Sequence, residues 1–192
     1  MNSHPLNTLL TINDFAWSLY NSNPVNSKKR NMNPKEISSL LKNLNTYEVK
    51  YILIGGFAMA FHGFPRATGD IDLWIKNTPD NMTRLRDALI ATGVAEAKAL
   101  RTTTQLVGRF TMFNLLESDF KIDLLHNLKA FKETDFDKCF QSSLHADYEG
   151  VAIKVMDAHS LLKEKIAVNR DKDQSDINFL HALIDKLINK LK

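Results

Sequence analysis

Cysteine is almost absent from this chain of 192 residues, where Cys139 stands alone. One thiol excludes an intramolecular disulfide and a cysteine-based zinc cluster, and it fits a reducing, cytoplasmic setting. Long apolar runs are missing too. No stretch approaches the roughly 18 residues that span a bilayer. The opening MNSHPLNTLLTINDF has no basic segment followed by a long apolar one, so neither secretion nor membrane insertion is expected. Charge of one sign is also in short supply. With 25 Lys and Arg against 22 Asp and Glu the net charge is +3, and the pI is near 8.9. That balance permits an RNA or nucleotide partner but lacks the strong basic bias of a dedicated nucleic-acid binder.

What the chain does have is 44% hydrophobic residues, enough for one real core and at most one main domain with an appendage. Residues 1–33 read as an arm and linker. Leu9, Leu10, Ile12, Phe15, Ala16 and Leu19 suit a short amphipathic helix over Leu6 to Tyr20, and NSNPVNSKKRNMN then reads as polar linker. Lys28, Lys29 and Arg30 in that linker either touch phosphate or are simply solvated. The main domain, 34–192, opens at Asn33-Pro34, a good helix start, with Ile37, Leu40, Leu41 and Leu44 on one face. Further helices are expected from Asp80 to Ala91, ended by Gly93, from Asp157 to about Asn169, and from Gln174 to Leu191 behind Asp173 as N-cap. Gln105 to Leu116 and Asp119 to Leu125 read as a hairpin of strands, and Asp147 to Met156 as two short strands about Glu149-Gly150. Phe131 to Phe140 gives no clear pattern.

Chemistry concentrates in YILIGGFAMAFHGFPRATGDIDLWI, Tyr51 to Ile75. Tyr51 to Ile54 suits one buried strand, and Gly55-Gly56 then stands where a strand becomes a helix. Such a corner exposes backbone N–H groups at a helix start, which together suit a phosphate. In Asp70-Ile71-Asp72-Leu73 the period of a strand sends both carboxylates to one face and the apolar side chains to the other. Their Cα atoms then lie roughly 6.5 Å apart. Two like charges about 5 Å apart at an effective dielectric near 20 repel by roughly 3 kcal/mol, which argues for a bound cation or an altered protonation state. Asp123, between Ile122 and Leu124, points away from the core by the same alternation; an Asp there is either a third acid of the site or only solvent-facing.

An apolar residue, Gly-Gly, a spacer of about a dozen residues and Asp-apolar-Asp-apolar resembles the signature of the nucleotidyltransferase superfamily related to DNA polymerase beta. Ile54-Gly55-Gly56 and Asp70-Ile71-Asp72-Leu73, with a spacer of thirteen residues between them, carry the resemblance. It implies an α/β (α+β) fold, a small mixed sheet flanked by helices with C-terminal helices, and makes 34–192 the nucleotidyltransferase domain. It implies a triad of Asp70, Asp72 and Asp123 holding two Mg²⁺ (or Mn²⁺), an NTP such as ATP as substrate, and Gly55 and Gly56 against its phosphates. PRATGDID is similar to the superfamily pattern in which Arg66 bridges phosphate oxygens and Thr68 steadies the loop, a role set ahead of the alternative that Arg66 pairs with a structural carboxylate.

Lys165 shares an apolar helical stripe with Leu161 and Leu162, where a lysine must snorkel or meet an anion. KIAVNRDKDQSDINFL resembles the C-terminal part of bacterial toxins of toxin–antitoxin and abortive-infection systems. That resemblance makes Lys165 a phosphate contact and Asp176 its orienting partner; a salt bridge between two helices explains Asp176 equally. It also implies an acceptor hydroxyl on tRNA or protein and a cognate partner protein. Aminoglycoside transfer remains open, as does a non-catalytic binding module such as an antitoxin partner. His62 reads as a packed histidine, Trp74 as a cover for the sheet, His126 as a residue just past Asp123 that more often stands apart from the site than approaches it, and Cys139 as catalytically silent.

Overall fold

The computed structural model describes residues 10–11, 34–64, 68–99, 111–114 and 121–190. Its centre is a mixed sheet. The strands are β1 (Leu10–Thr11), β2 (Tyr51–Ile54), β3 (Asp70–Ile75), β4 (Thr111–Asn114), β5 (Lys121–Leu125), β6 (Leu144–Tyr148) and β7 (Val151–Val155). They lie in the order β1-β6-β7-β2-β3-β5-β4, so five strands form the body and β1 and β4 the described edges. β2 runs antiparallel to β3 and parallel to β7, whereas β3 and β5 are parallel. β2 and β3 are buried on both faces over most of their length, which explains why Tyr51 to Ile54 is a continuous apolar run and not an alternating one.

The helices are α1 (Pro34–Thr46), α2 (Gly55–Phe61), α3 (Pro79–Thr92), α4 (Ala95–Ala99), α5 (Phe136–Ser142), α6 (Ala158–Val168) and α7 (Gln174–Asn189). In α1, Ile37, Leu40, Leu41 and Leu44 are fully buried, the i, i+3, i+4, i+7 stripe of a helix laid on a core. It packs on α3, whose N-cap Thr78 accepts from the Asn81 N–H and whose end is set by Gly93 at φ 91°. Asn81 is buried, and its amide donates to the Lys50 and Lys76 carbonyls at 3.0 and 2.9 Å while its oxygen accepts from the Lys50 N–H. One side chain thus ties the start of α3 to the adjoining ends of β2 and β3.

Several sequence expectations change here. Leu10–Thr11 is a strand parallel to Ala146–Asp147 where a helix was expected, because an open edge of β6 satisfies its backbone groups; the rest of Leu6 to Tyr20 lies outside the described residues, as does the linker with Lys28, Lys29 and Arg30. The hairpin is present as β4 paired antiparallel with β5, and the rest of Gln105 to Leu116, with Glu117-Ser118, lies outside the described residues. Phe131 to Phe140 resolves into a 3₁₀ turn, Glu133–Asp135, and then α5. Phe136 and Cys139, one helical turn apart, are its buried residues, and Phe136 meets the Trp74 ring edge-on at 5.1 Å. At α7, Asp173 occupies the N-cap but makes no side-chain cap bond, because its carboxylate is engaged by Lys165 and Arg170.

Candidate active site

Two backbone facts set the site. Asp72 and Asp123 are direct register partners on the parallel strands β3 and β5, and Ile54 pairs with Asp72 from β2. The residue after Ile54 is therefore delivered against Asp72, and that residue is Gly55 with φ 68°. A Cβ at position 55 would overlap Asp72 Oδ2 and stand 2.6 Å from its Cγ. Only glycine satisfies both the left-handed backbone and the missing volume. The chain then turns into α2, whose N-cap Ile54 offers no side-chain cap, so the first N–H groups of α2 remain for another acceptor.

Gly55, Gly56, Thr68, Asp70, Asp72 and Asp123 line one cleft of about 620 Å³. Thr68 Oγ1 donates to Asp70 Oδ1, so the loop before β3 holds the first carboxylate of the pair. Arg66 lies outside the described residues. The opposite wall comes from the α6–α7 hairpin, through Leu161, Glu164, Lys165, Val168, Arg170 and Lys172. Glu164 fastens that wall to the segment after β5, since its two oxygens accept from the Lys129 and Ala130 N–H groups at 3.1 and 2.8 Å.

The acids are strained electrostatically. Burial, then the charges of Asp70 and Asp123, push Asp72 up to about 7, with Lys165 and Arg170 pulling the other way. Burial and Asp70 push Asp123 up to about 6 against Lys121 and Lys172. Asp123 is 7% exposed, and its buried Oδ1 has no hydrogen-bond partner among the described residues. A buried carboxylate oxygen left without a donor is costly unless something not made of protein meets it.

Lys165 is 3% exposed, and its Nζ stands 2.9 Å from Asp173 Oδ1 and 2.7 Å from Asp176 Oδ2. The ion pair with Asp176 suits either reading of that residue, and Asp173, which the sequence reading took only as a cap, joins it. Arg170 grips Asp173 with Nε at 2.6 Å and Nη2 at 3.1 Å, a forked pairing across one helical turn. Burial raises the Asp173 carboxyl, but the hydrogen bonds from Arg170 and Lys165 outweigh it and bring it down to about 2. An ammonium has three donors, so two carboxylates leave Lys165 one N–H for the cleft it lines. Arg170 and Lys172 were not singled out from the sequence; the Arg170–Asp173 spacing of three was the available signal.

The residues set aside fall elsewhere. Trp74 is fully buried and its Nε1 donates to the His126 carbonyl at 3.1 Å, so its ring covers the sheet beneath Phe131 and Phe136. His62 donates from Nε2 to the Met156 carbonyl at 2.8 Å, and burial lowers its pKa. His126 pairs with Glu133 at 3.0 Å. Cys139 is buried, with its thiol pushed up chiefly by burial. Among the described residues no helix is long and apolar enough to cross a membrane.

No curated protein matches the chain. The family described as "Nucleotidyl transferase of unknown function (DUF2204)" matches residues 33–192, which takes in α1, the glycine corner, all three acids and the α6–α7 hairpin. The chain belongs to that nucleotidyl transferase family.

Proposed function

We propose that this protein transfers a nucleoside monophosphate from an NTP to an acceptor hydroxyl on RNA or protein, with Mg²⁺ or Mn²⁺ as the resident ion. The observation that carries the reading is the placement of Asp72 beside Asp123 with Gly55 closed against Asp72.

The donor set suits a hard divalent cation: Asp70, Asp72 and Asp123 supply only oxygen, two of them have raised pKa values, and Asp123 Oδ1 is buried without a donor among the described residues. Among the described residues no three acidic, His or Cys side chains form a ready-made cage. Mg²⁺ commonly binds through one or two carboxylates with water and substrate phosphate completing its shell, so the set fits an ion that arrives with the triphosphate. Bound there, such an ion would neutralise phosphate charge and acidify the acceptor hydroxyl.

The chain's own residues do the rest. The first N–H groups of α2 and the free donor of Lys165 hold the triphosphate, and Thr68 keeps Asp70 in place. The acceptor oxygen bonds to the α-phosphorus, the bond from that phosphorus to the bridging oxygen of pyrophosphate breaks, and pyrophosphate leaves with the electron pair. The Asp123 carboxylate, which lines the cleft, takes the hydroxyl proton. Phosphoryl transfer of this kind asks for positioning and charge more than for covalent help.

A toxin role in a toxin–antitoxin pair, with a cognate partner protein and a tRNA acceptor, rests on the resemblance of KIAVNRDKDQSDINFL to such toxins. The lack of a complete cage among the described residues and the burial of Lys165 in ion pairs favour one other reading, a non-catalytic module that keeps the fold for binding. Incubation with each labelled NTP, Mg²⁺ and a whole-cell extract separates them. Transfer predicts label in RNA or protein that disappears in the Asp70→Asn, Asp72→Asn double variant. Equal labelling by the double variant overturns the assignment of the acids, and no labelling by the parent favours the binding module.

A further inference from the structure

A second concavity, of about 320 Å³, lies at the other end of β2 from the acidic cleft. Tyr51, the first residue of β2, lines it, whereas Ile54, the last, lines the cleft. The two openings are thus separated along the strand by roughly 10 Å.

Its lining is basic and aromatic. Lys50 Nζ and Lys154 Nζ approach the Phe140 ring to 5.5 and 5.1 Å from its centroid, and His145 Nε2 accepts from Lys154 Nζ at 2.8 Å. Among the described residues neither lysine has a carboxylate within ion-pair distance, although Glu48 contributes one to the lining. Burial, then the charge of Lys50, holds Lys154 below the usual lysine range. Two cations gathered about one ring mirror the gathered acids at the other end. A cation–π contact offsets only part of what such a pair gives up in hydration and mutual repulsion. An anion between them removes the repulsion outright.

The packing behind the Phe140 ring is buried, since Trp74 is 0% and Phe136 2% exposed, so it holds the ring in place and offers no surface of its own. The Trp74 ring meets Phe136 at 5.1 Å, and Phe136 stacks on Phe140 at 5.8 Å. Lysines interleaved with an accessible aromatic ring are the ordinary means of tracking a single strand: the cations meet the backbone and the ring offers a surface to a base. An acidic peptide would use the lysines but has no need of the ring.

We infer that Lys50, Lys154 and Phe140 form a phosphate-binding subsite for a single-stranded RNA segment whose hydroxyl-bearing end reaches the acidic cleft. The inference rests on the proposed transfer to an RNA acceptor, but its test requires no transfer. Binding of a fluorescent single-stranded RNA oligomer to the full chain is measured by anisotropy in EDTA, without NTP, over a range of salt. The Lys50→Gln, Lys154→Gln double variant is expected to bind about tenfold or more weakly than the parent. The slope of log affinity against log salt should become shallower by about 1.4, at roughly 0.7 for each lost phosphate contact. Phe140→Leu is expected to weaken binding without altering that slope. Lys163→Gln, an exposed lysine over the Phe131 ring, should leave both unchanged.

Unchanged affinity in the double variant, in protein whose melting temperature matches the parent, overturns the subsite. An equal loss with Lys163→Gln overturns it as well, since the effect would then be general charge. Displacement of the RNA by equimolar AMP would show a mononucleotide site and overturn the strand assignment. A protein that binds RNA through these lysines yet labels nothing with NTP would sink the transfer reading and leave the subsite standing.

Discussion

Asp72 and Asp123 face each other as register partners across two parallel strands, and the space beside Asp72 is closed by a glycine that no other residue can replace. Like charges placed in register are unfavourable in a sheet. Here the arrangement is reinforced on three sides, by the β2 pairing, by the turn into α2 and by the α6–α7 hairpin. Such local cost, held in place by its surroundings, is what a binding site for a cation and a polyphosphate requires.

Gly55→Ala should be severe. The left-handed backbone alone costs an alanine about 1–2 kcal/mol, and the overlap with Asp72 adds displacement of the carboxylate. NTP-dependent labelling should be lost and the melting temperature lowered by several degrees. Gly150→Ala is the control: its φ is 78°, but nothing lies within 4 Å of the added carbon. Calorimetry of both variants should show a smaller loss at position 150, and labelling there should persist.

Stability without divalent ions should fall as pH rises. In the folded protein Asp72 titrates at about 7 and Asp123 at about 6, against a normal 3.8. Between roughly pH 4 and 7 the native state therefore binds more protons than the unfolded chain, and stability declines across that window. Asp72→Asn should be more stable than the parent at pH 8 in EDTA, on the order of 1–2 kcal/mol after allowance for its partial exposure. Thermal melts at pH 5 and pH 8 check the sign.

Mg²⁺ should reverse that trend. Its binding requires the carboxylates ionised, so the gain in melting temperature on adding Mg²⁺ with an NTP should grow from pH 6 to pH 8. A ligand at about a hundred times its Kd stabilises by about 2.7 kcal/mol. Asp72→Asn should abolish the gain, and an equal gain in that variant would remove the acids from the metal assignment.

Lys165→Met should destabilise by about 3–5 kcal/mol, because it leaves the buried carboxylates of Asp173 and Asp176 without their shared cation. Adding Asp173→Asn and Asp176→Asn to the same chain should recover much of the loss. Urea melts of the single and triple variants test this, and labelling by the stable triple variant reads separately whether the ammonium matters to transfer.

Acid should dissolve the same cluster. Asp173 is held at about 2 in the folded protein against 3.8 normally, so its contribution is fully present above about pH 4 and lost as pH falls toward 2. The shift corresponds to about 2 kcal/mol. Asp173→Asn should flatten the stability profile between pH 4 and pH 2 while starting from a lower plateau.

Local physics made much of this molecule legible from the order of its residues. The buried stripe of α1, the Gly93 stop of α3, the strand-to-helix corner at Gly55-Gly56 and the shared face of Asp70 and Asp72 follow from periodicity and backbone preference, which act within a few residues. The orientation of Asp123 followed from alternation in the same way, but its register with Asp72 did not. Register is a property of two strands separated by about fifty positions, and only their pairing decides it. Asp173 shows the limit most plainly: next to a helix it reads as a cap, yet folding brings Lys165 and Arg170 to it, and charge prevails over the weaker capping bond. Nor does any sequence window join Lys50, Phe140 and Lys154, which come from three distant segments and meet only when β2, α5 and β7 pack together.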